Sequence, residues 1–398
     1  MGIAVADRNL MYLIKTFNKI APEGLARFPE THYRYGDNYT GEDAILVRSA
    51  NLLDYPFPKN LVAISRAGAG VNNIPVDRCS QAGVAVFSTP GANANAVKEL
   101  VLCAMLMGSR DVTGAIRWVR RQAAAGVEVS SVVERGKSAF IGPELYRKTL
   151  GIIGLGAIGS LVANTAIALG MEVYGYDPFL SVDAALRLDH HIHVVTDLKE
   201  LYRRSDYITI HVHFNEDTRH MIDEEAIESM KPGVRFINLA RGEIVDDKAM
   251  LSALDNGRVS VYITDFPTNQ LLTSPHVIAM PHLGASTPES EKNCAVMAVE
   301  ELKDYLENGN IRNSVNMPAV SMERSGAMRI CVIHRNIPSM LANITALLSK
   351  DGVNVENLSN KSRGDYAYTM VDMAAAVDQS VIEHLQTLSN VIRVRVIA

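Results

Sequence analysis

A glycine-rich turn between a strand and a helix constrains this chain more than any other feature. The run Gly154-Leu-Gly156-Ala-Ile-Gly159 follows an apolar segment that begins at Leu150. In a G-x-G-x-x-G motif the first glycine permits the tight turn, the second lets backbone approach a pyrophosphate, and the third lets helix and strand pack closely. Backbone amides at the helix N-terminus then face the diphosphate. The motif predicts a dinucleotide-binding unit.

The choice of dinucleotide depends on the end of the next strand. Asp177 stands there, about 20 residues after the glycine turn, where a ribose-binding acid is expected. A carboxylate accepts hydrogen bonds from the ribose hydroxyls and repels a 2′-phosphate. Pro178 and Phe179 follow it, and no adjacent arginine is present to hold that phosphate. The sequence therefore favours NAD over NADP.

Short apolar segments alternate with helical patterns along most of the chain, which is typical of doubly wound parallel sheets in the α/β class. A buried helix is predicted over 94–107, and the polar stretch 111–147 is interpreted as a solvated connection. The predicted strands of the central region lie near residues 150–154, 172–176, 207–211, 234–238, 260–264 and 276–279.

The last seventy residues have another pattern. Strand and helix signals follow one another in the order βαββαβ, which predicts a small ferredoxin-like module. Its strands are expected at 328–334, 353–360, 366–374 and 391–397, and its helices at 338–350 and 378–387.

Two further strand ends carry residues suited to hydride transfer. Arg241 has a planar guanidinium that matches a carboxylate or the two oxygens of a 2-oxo acid. His282 follows Pro281, and an imidazole titrates near neutral pH, so it can take and return a hydroxyl proton. Taken alone, Arg241 is better interpreted as a surface ion pair and His282 as part of a turn. Together, downstream of a nucleotide loop, they predict an oxidoreductase site.

Composition excludes several other classes. The chain has 39 basic and 44 acidic residues and a net charge of −5, so no nucleic-acid partner is predicted. Its four cysteines form no C-x-x-C pair, which argues against a zinc ribbon or a disulfide framework and favours the cytoplasm. The uncharged stretch 149–171 is interrupted by glycines, so no membrane span is expected. His190, His191 and His193 are interpreted as solvated surface, and no metal is predicted.

Several segments together resemble the D-isomer-specific 2-hydroxyacid dehydrogenase family. The matching segments are Val47-Arg-Ser49, Ser65-Arg-Ala-Gly-Ala-Gly-Val71, Gly151 to Gly159, Asn238 to Val245, and Pro281-His-Leu-Gly-Ala-Ser286. The resemblance implies a flavodoxin-like substrate domain over 1–93 and 286–318, a Rossmann-type NAD-binding domain over 94–285, and a linker over 319–327. The module over 328–398 resembles an ACT domain.

The resemblance also assigns roles to individual residues. His282 would be the acid/base and Arg241 would orient the substrate carboxylate, while Asn269 stands where the family has a glutamate that orients the histidine. Substrate contacts are implied for Arg48, Ser49, Ala69 and Gly70, and contacts to an L-serine effector for His334, Asn336 and Asn354. The implied cofactor contacts are Gly154, Gly156, Ala157, Ile158, Gly159, Asp177, His211, Val212, Ala240, Asp265 and Gly284.

Three departures from the family pattern bear on function. Asn269 cannot supply negative charge to an imidazolium, so another carboxylate, such as Asp265, is needed unless the histidine is less basic. Ala50 replaces the second arginine of the pattern Arg-Ser-Arg, which weakens the case for a phosphorylated substrate. Ser339 follows Pro338 where a glycine is usual, and a stiffer loop would alter control by serine.

Three functions remain open on this reading. The first is NAD-dependent oxidation of D-3-phosphoglycerate to 3-phosphohydroxypyruvate, which opens L-serine synthesis. The second is reduction of hydroxypyruvate, glyoxylate or a larger 2-oxo acid. The third is an NAD-sensing binding protein without catalysis, which the retention of Arg241 and His282 disfavours. The resemblance implies a homodimer or a homotetramer.

Overall fold

The computed structural model describes residues 5–6, 11–350 and 352–397. Contacts divide the chain into two compact units: the described residues up to Asn93 together with those from Pro288 onward, and Ala94–Thr287. Within the described ranges, no helix combines the length and the apolar character needed to cross a membrane.

The first unit begins with a five-stranded parallel sheet in the order β3-β2-β4-β5-β6. This is the flavodoxin-like order. Its central strands are buried on both faces, which explains why they appear as short apolar runs rather than as alternating patterns. The elements are β1 (Val5–Ala6), β2 (Tyr12–Phe17), α1 (Pro22–Leu25), β3 (Tyr33–Gly36), β4 (Ala44–Val47), β5 (Ala63–Arg66), α2 (Val76–Gln81) and β6 (Ala85–Phe87).

The second unit contains a seven-stranded parallel sheet in the order β13-β12-β11-β10-β7-β8-β9. The strand order reverses between β10 and β8, on either side of β7, and ligands of such sheets bind at the carboxyl ends of the strands at that point. The elements are α3 (Ala94–Ser109), α4 (Val112–Ala124), α5 (Val133–Gly136), β7 (Thr149–Ile153), α6 (Ala157–Ala168), β8 (Glu172–Tyr176), α7 (Val182–Ala185), β9 (His193–Val195), α8 (Leu198–Arg204), β10 (Tyr207–Ile210), α9 (Glu224–Glu228), β11 (Val234–Asn238), α10 (Asp247–Asp255), β12 (Val259–Thr264) and β13 (Val277–Ala279). Short 3₁₀ turns lie at Val129–Ser131, Lys137–Phe140, Gly242–Ile244 and Leu271–Thr273.

One part of the second unit differs from the prediction. The sequence favours a solvated connection over 111–147, but this stretch contains the thirteen-residue helix α4. Asp111 caps this helix by accepting a hydrogen bond from the Gly114 amide at 2.8 Å. Ile116 and Val119 are exposed on it. The arginines of this helix masked its amphipathic periodicity.

The carboxyl-terminal part adds a second sheet to the first unit. Four strands pair antiparallel in the order β17-β14-β16-β15, the ferredoxin-like arrangement that the sequence predicts, and β1 pairs parallel with β17. Helices α12 and α13 contribute to a core with this sheet. The elements are α11 (Pro288–Asn308), β14 (Met328–Arg335), α12 (Met340–Ser349), β15 (Val355–Arg363), β16 (Tyr366–Met373), α13 (Gln379–Thr387) and β17 (Val391–Ile397).

This ACT-like module is continuous with the rest of the first unit. Cys331 and Tyr368 of its sheet belong to the same buried cluster as Leu302 of α11. Arg329 is fully buried, is paired with Asp372 at 2.6 Å, and also donates to the carbonyl oxygens of residues 308, 322 and 323. The segment predicted as a linker therefore runs along a packed surface rather than joining two independent bodies.

Candidate active site

The glycine turn joins β7 to α6 with the geometry that its motif predicts. Gly154 has φ +92°, and a Cβ there would come within 2.6 Å of the His211 carbonyl oxygen. A Cβ on Gly159 would lie 1.9 Å from the Gly154 oxygen. A Cβ on Gly156, by contrast, would meet nothing within 4 Å. The outer glycines allow close backbone packing, while the space over Gly156 is open to a ligand.

Asp177 lies beside this turn, just after β8. Its Oδ2 accepts a hydrogen bond from the Leu155 amide at 2.9 Å, and its Oδ1 accepts one from the Phe179 amide at 2.9 Å. The twelve-residue helix α6 begins at Ala157 without a side-chain cap, so its first amides face outward at the positive end of the helix dipole. An anionic diphosphate and a ribose fit this set of donors and acceptors.

Two buried polar atoms further along the same sheet have no hydrogen-bond partner among the described residues. They are Nδ1 of His211, which follows β10, and Oδ1 of Asp265, which follows β12. Burial lowers the pKa of His211 to about 4, so its ring is neutral at neutral pH. Unpaired buried polar atoms are costly, and their presence at this edge indicates a ligand that completes them. A dinucleotide lying across the sheet meets this requirement.

Asp265 also fixes the loop that carries the predicted acid/base. Its Oδ2 accepts hydrogen bonds from the amides of Leu283 and Gly284, each at 3.1 Å. Burial raises the pKa of Asp265, and the Gly284 amide and the nearby His282 oppose this rise. Asp265 is thus bonded to the backbone on one side and has a free oxygen on the other.

Arg241 and His282 both lie close to the same aromatic side chain, that of Phe266. The ring centroids of Phe266 and His282 are 4.6 Å apart, and the guanidinium carbon of Arg241 is 5.6 Å from the Phe266 centroid. Arg241 donates to the carbonyl oxygen of Ala240 at 2.7 Å. The structure therefore brings together the two residues that the sequence proposes for hydride-transfer chemistry.

Asn269 does not contribute to this group. Its side chain is exposed, and it forms no hydrogen bond with His282 or any other part of the described chain. Thr268 before it is anchored through its hydroxyl to Asp247 at 2.8 Å. Asn269, which the resemblance predicts in place of the family glutamate, thus gives the imidazole no hydrogen-bond partner.

The substrate residues predicted in the first unit follow β4 and β5. Arg48 forms an ion pair with Glu291 in the first turn of α11, with 2.6 Å between Nη2 and Oε1. The Ser49 amide donates to Oδ1 of Asn18 at 2.9 Å. Both groups therefore already have partners, and an anion would have to exchange with them.

In the loop after β5, two backbone amides have no hydrogen-bond acceptor among the described residues. The amides of Ala69 and Gly70 donate to no other described residue. Arg66 holds the loop by donating from Nε to the Arg48 carbonyl oxygen at 2.9 Å and from Nη1 to the Gly70 carbonyl oxygen at 2.5 Å. These two amides stay the strongest candidates for an anion contact in the first unit.

The predicted effector residues do not meet within the chain. His334 is buried, with Nδ1 2.8 Å from the Arg335 carbonyl oxygen and Nε2 2.9 Å from Thr369 Oγ1, so both ring nitrogens have partners. Asn336 is exposed just beyond the same strand end. Asn354 accepts the Ala374 amide at the other end of the sheet. Serine contact by these residues stays a prediction.

Sequence reasoning missed three residues of these sites. Phe266 directly follows Asp265, and its place after a parallel strand could have identified it. Asn238 is fully buried and accepts from the Ala240 amide at 3.0 Å and donates to the Arg241 carbonyl oxygen at 2.8 Å, which shapes the turn before Arg241. Glu291 lies far from Arg48 in sequence, and no local signal pairs them.

Comparison with known proteins identifies the family. Residues 102–284 match the model for the D-isomer specific 2-hydroxyacid dehydrogenase, NAD binding domain. A hydroxypyruvate reductase of Thermotoga maritima is 37% identical over 272 residues, which cover 65% of this chain and 83% of that protein. The chain belongs to the D-isomer-specific 2-hydroxyacid dehydrogenase family. Since the matched region is this family's NAD-binding domain and the glycine turn fits a dinucleotide, the cofactor is NAD.

Two other family members extend the comparison. A D-3-phosphoglycerate dehydrogenase of Methanocaldococcus jannaschii is 35% identical over 321 residues, 78% of this chain but 58% of that protein. The chain thus spans little more than half the length of this relative. The crystal structure of a NAD⁺-bound 3-phosphoglycerate dehydrogenase of Entamoeba histolytica has a TM-score of 0.60 and 25% identity, covering 77% of this chain and 99% of that one.

Proposed function

We propose that the protein oxidises D-3-phosphoglycerate to 3-phosphohydroxypyruvate with NAD, the reaction that opens L-serine synthesis. The observation that carries this proposal is the contact of Arg241 and His282 with one ring, Phe266, at the sheet edge that bears the glycine turn. The names of the relatives from Methanocaldococcus jannaschii and Entamoeba histolytica support the choice of substrate.

The residues of the second unit supply the chemistry. His282 takes the proton of the substrate hydroxyl as the carbon–oxygen double bond forms, and returns it in the reverse direction. Arg241 binds the substrate carboxylate through its planar fork and so orients the reacting carbon. NAD, when bound, accepts the hydride that leaves this carbon. Asp265 keeps the His282 loop in place by accepting hydrogen bonds from the backbone amides of Leu283 and Gly284.

The loops that follow β4 and β5 in the first unit carry groups suited to a phosphate. The unengaged amides of Ala69 and Gly70 are suited to phosphate oxygens, as anion-binding backbone loops are. Arg48 adds positive charge once it leaves Glu291. The phosphate end of the substrate thus depends on fewer cations than the family pattern would provide.

A second function, reduction of an unphosphorylated 2-oxo acid, is favoured by one observation. Ala50 replaces a family arginine, and the Arg48 that remains is partly neutralised by Glu291. Hydroxypyruvate and glyoxylate lack the phosphate that these positions would bind. The similarity to the hydroxypyruvate reductase of Thermotoga maritima supports this alternative.

A substrate panel distinguishes these functions. The purified protein is assayed with 3-phosphohydroxypyruvate, hydroxypyruvate and glyoxylate with NADH or NADPH, and with D-3-phosphoglycerate and D-glycerate in the other direction. We expect kcat/KM for 3-phosphohydroxypyruvate to exceed that for hydroxypyruvate at least tenfold, with NADH preferred. The opposite ranking would establish the second function. NADH binding without turnover of any substrate would favour a non-catalytic NAD-sensing protein.

Regulation and assembly are separate proposals. We infer an L-serine effector from the likeness of the carboxyl-terminal module to ACT domains, and a cytoplasmic homodimer or homotetramer from the family. The exposed apolar residues Ile116 and Val119 on α4 support self-association. Calorimetry with millimolar L-serine tests the effector proposal, and the absence of a heat of binding would contradict it. Light scattering of wild type and Ile116→Glu tests the assembly proposal, and a wild-type monomer would contradict it.

A further inference from the structure

The acid/base histidine of this chain has no hydrogen-bonded partner to orient it. His282 is exposed, and its ring nitrogens form no hydrogen bond with the described part of the chain. Asn269, at the position aligned with the family glutamate, does not reach it. The bonds from Leu283 and Gly284 to Asp265 restrain the backbone of the loop but leave the ring free to rotate. Some other contact must set the ring orientation.

Phe266 makes that contact. Its ring centroid is 4.6 Å from that of His282 with 46° between the ring planes, a tilted geometry within the range in which aromatic pairs attract. The charged groups near the imidazole are Asp265, whose charge interacts with that of His282, and Arg241, whose guanidinium carbon is 5.6 Å from the Phe266 ring centroid. Phe266 is therefore the side chain that stands against the imidazole itself.

Phe266 is itself held in place. Its amide donates to Thr264 Oγ1 at 3.0 Å, where β12 ends. A Cβ on Gly242 would be in van der Waals contact with the Phe266 Cβ at 3.4 Å, so the Arg241 turn packs closely beside it. The Arg241 guanidinium lies 5.6 Å from the ring centroid, within the range of a cation–π interaction. The backbone and Cβ of Phe266 are thus fixed and a guanidinium lies beside its ring, so Phe266 can restrain its neighbour.

We propose that Phe266 is the positioning residue of His282 and replaces the missing carboxylate. Its ring orients the imidazole, and its π electrons stabilise the positive charge that the imidazole gains when it accepts the hydroxyl proton. The substrate O–H bond breaks as the N–H bond of the ring forms, and the electron pair of the O–H bond becomes the second carbon–oxygen bond as the C–H bond breaks. Bound NAD would accept the hydride. This inference rests on the proposed dehydrogenase function and deepens it.

Two variants test the proposal in the full chain. Phe266→Leu keeps apolar volume and removes the π face, whereas Phe266→Tyr keeps the ring. Phe214→Leu is the matched control, since Phe214 packs against the arginine Arg219 at 4.9 Å without a histidine. Circular dichroism and NADH binding confirm that each variant is folded.

The readouts separate positioning from a merely structural role. For Phe266→Leu we expect kcat/KM for 3-phosphoglycerate to fall about fivefold, mainly through kcat, in line with the strength of one cation–π contact. The acidic limb of the pH profile should move to lower pH by about half a unit, because the imidazolium loses stabilisation. Phe266→Tyr and Phe214→Leu should stay within twofold of wild type with an unshifted limb.

A second measurement does not depend on turnover. The proteins are labelled with ¹³C in the histidine rings, the His282 signal is assigned with His282→Gln, and its titration is followed by NMR. The midpoint should fall in Phe266→Leu and not in Phe266→Tyr. Equal effects of the Leu and Tyr variants, or a midpoint unmoved in both, would overturn the inference. Absence of turnover in wild type with a shifted midpoint would refute the proposed function alone.

Discussion

Polar groups at the strand ends of the second unit and of the first unit differ in whether they have hydrogen-bond or ion-pair partners within the described chain. In the second unit, Oδ1 of Asp265 and Nδ1 of His211 are buried without partners. In the first unit, Arg48 is paired with Glu291, and the Ser49 amide is bonded to Asn18. The two units thus differ at these particular residues, although Ser65 Oγ and Thr89 Oγ1 of the first unit are also buried without a partner among the described residues, and the Ala69 and Gly70 amides there are unengaged.

This difference has an energetic consequence. A ligand that meets an unpaired buried atom recovers its desolvation cost, whereas a ligand that displaces an existing partner gains only the difference between two interactions. We therefore expect the predicted cofactor residues of the second unit to tolerate changes poorly and the predicted phosphate residues Arg48 and Ser49 of the first unit to respond weakly. The following variants are ordered by the size of the effect expected.

The largest effect is expected for His282→Ala. Removing a general acid/base should lower kcat/KM for NAD-linked oxidation by roughly 10²–10⁴-fold. His276→Ala, an exposed histidine before β13, serves as the control and should stay within twofold. Steady-state kinetics at neutral pH check this. If His282→Ala retained wild-type rates, the contrast drawn for the second unit would lose its chemical basis.

Glu301, on α11 of the first unit, extends the comparison to a buried, partly unpaired carboxyl group that is not among the predicted ligand contacts. Its Oε1 accepts a hydrogen bond from the side-chain Nδ2 of Asn313 at 2.7 Å, while its Oε2 has no partner among the described residues. Burial raises the pKa of Glu301 to about 8. The folded state binds the Glu301 proton more tightly than the unfolded state does. Proton binding by Glu301 therefore contributes its full stabilisation of the folded protein below about pH 4.5, and this contribution is lost as the pH rises through about 8.

We therefore expect Glu301→Gln to unfold like wild type at pH 4.5 and to be more stable at pH 9. The difference should be roughly 3–5 kcal/mol, because each pH unit of displacement corresponds to ~1.4 kcal/mol. Urea unfolding at both pH values measures it, with the exposed neighbour Glu300→Gln as control. A pH-independent difference would show that the pKa of Glu301 is the same in the folded and unfolded states.

Asp177→Asn tests the cofactor preference at the glycine turn. Loss of one charged acceptor for the ribose hydroxyls should weaken NAD binding about thirtyfold, since hydrogen bonds to charged groups contribute ~1.5–3 kcal/mol. NADP, no longer repelled, should lose less. Calorimetric titration with both dinucleotides gives the ratio, and Asp255→Asn at the end of α10 is the control. An unchanged ratio of the two affinities would refute the role of Asp177.

The smallest effect is expected for Glu291→Gln, because exposed ion pairs are worth little. Releasing Arg48 should lower KM for 3-phosphoglycerate about two- to fivefold at low salt, with a smaller gain at high salt. Glu289→Gln, in the same turn of α11, removes the same charge without contacting Arg48. Equal responses of the two variants would show that the ion pair does not hold Arg48 back.

The sequence by itself determined the order of elements, the glycine turn and the dinucleotide. These depend on local patterns: Gly154 needs positive φ, parallel strands buried on both faces need continuous apolar runs, and Asp177 follows its strand at a fixed spacing. The ferredoxin-like order of the last seventy residues was predictable for the same reason. Helix α4 was missed because its apolar face is exposed and its arginines dominate the pattern.

Only the tertiary structure decided which side chains meet. The contact of Phe266 with His282, the pairing of Arg48 with Glu291, and the separation of Asn354 from His334 all join or divide positions through strand order and register. The packing of the ACT-like sheet around buried Arg329 is of the same kind. Such contacts lie between residues distant in sequence, and a residue's type limits its possible partners without selecting among them.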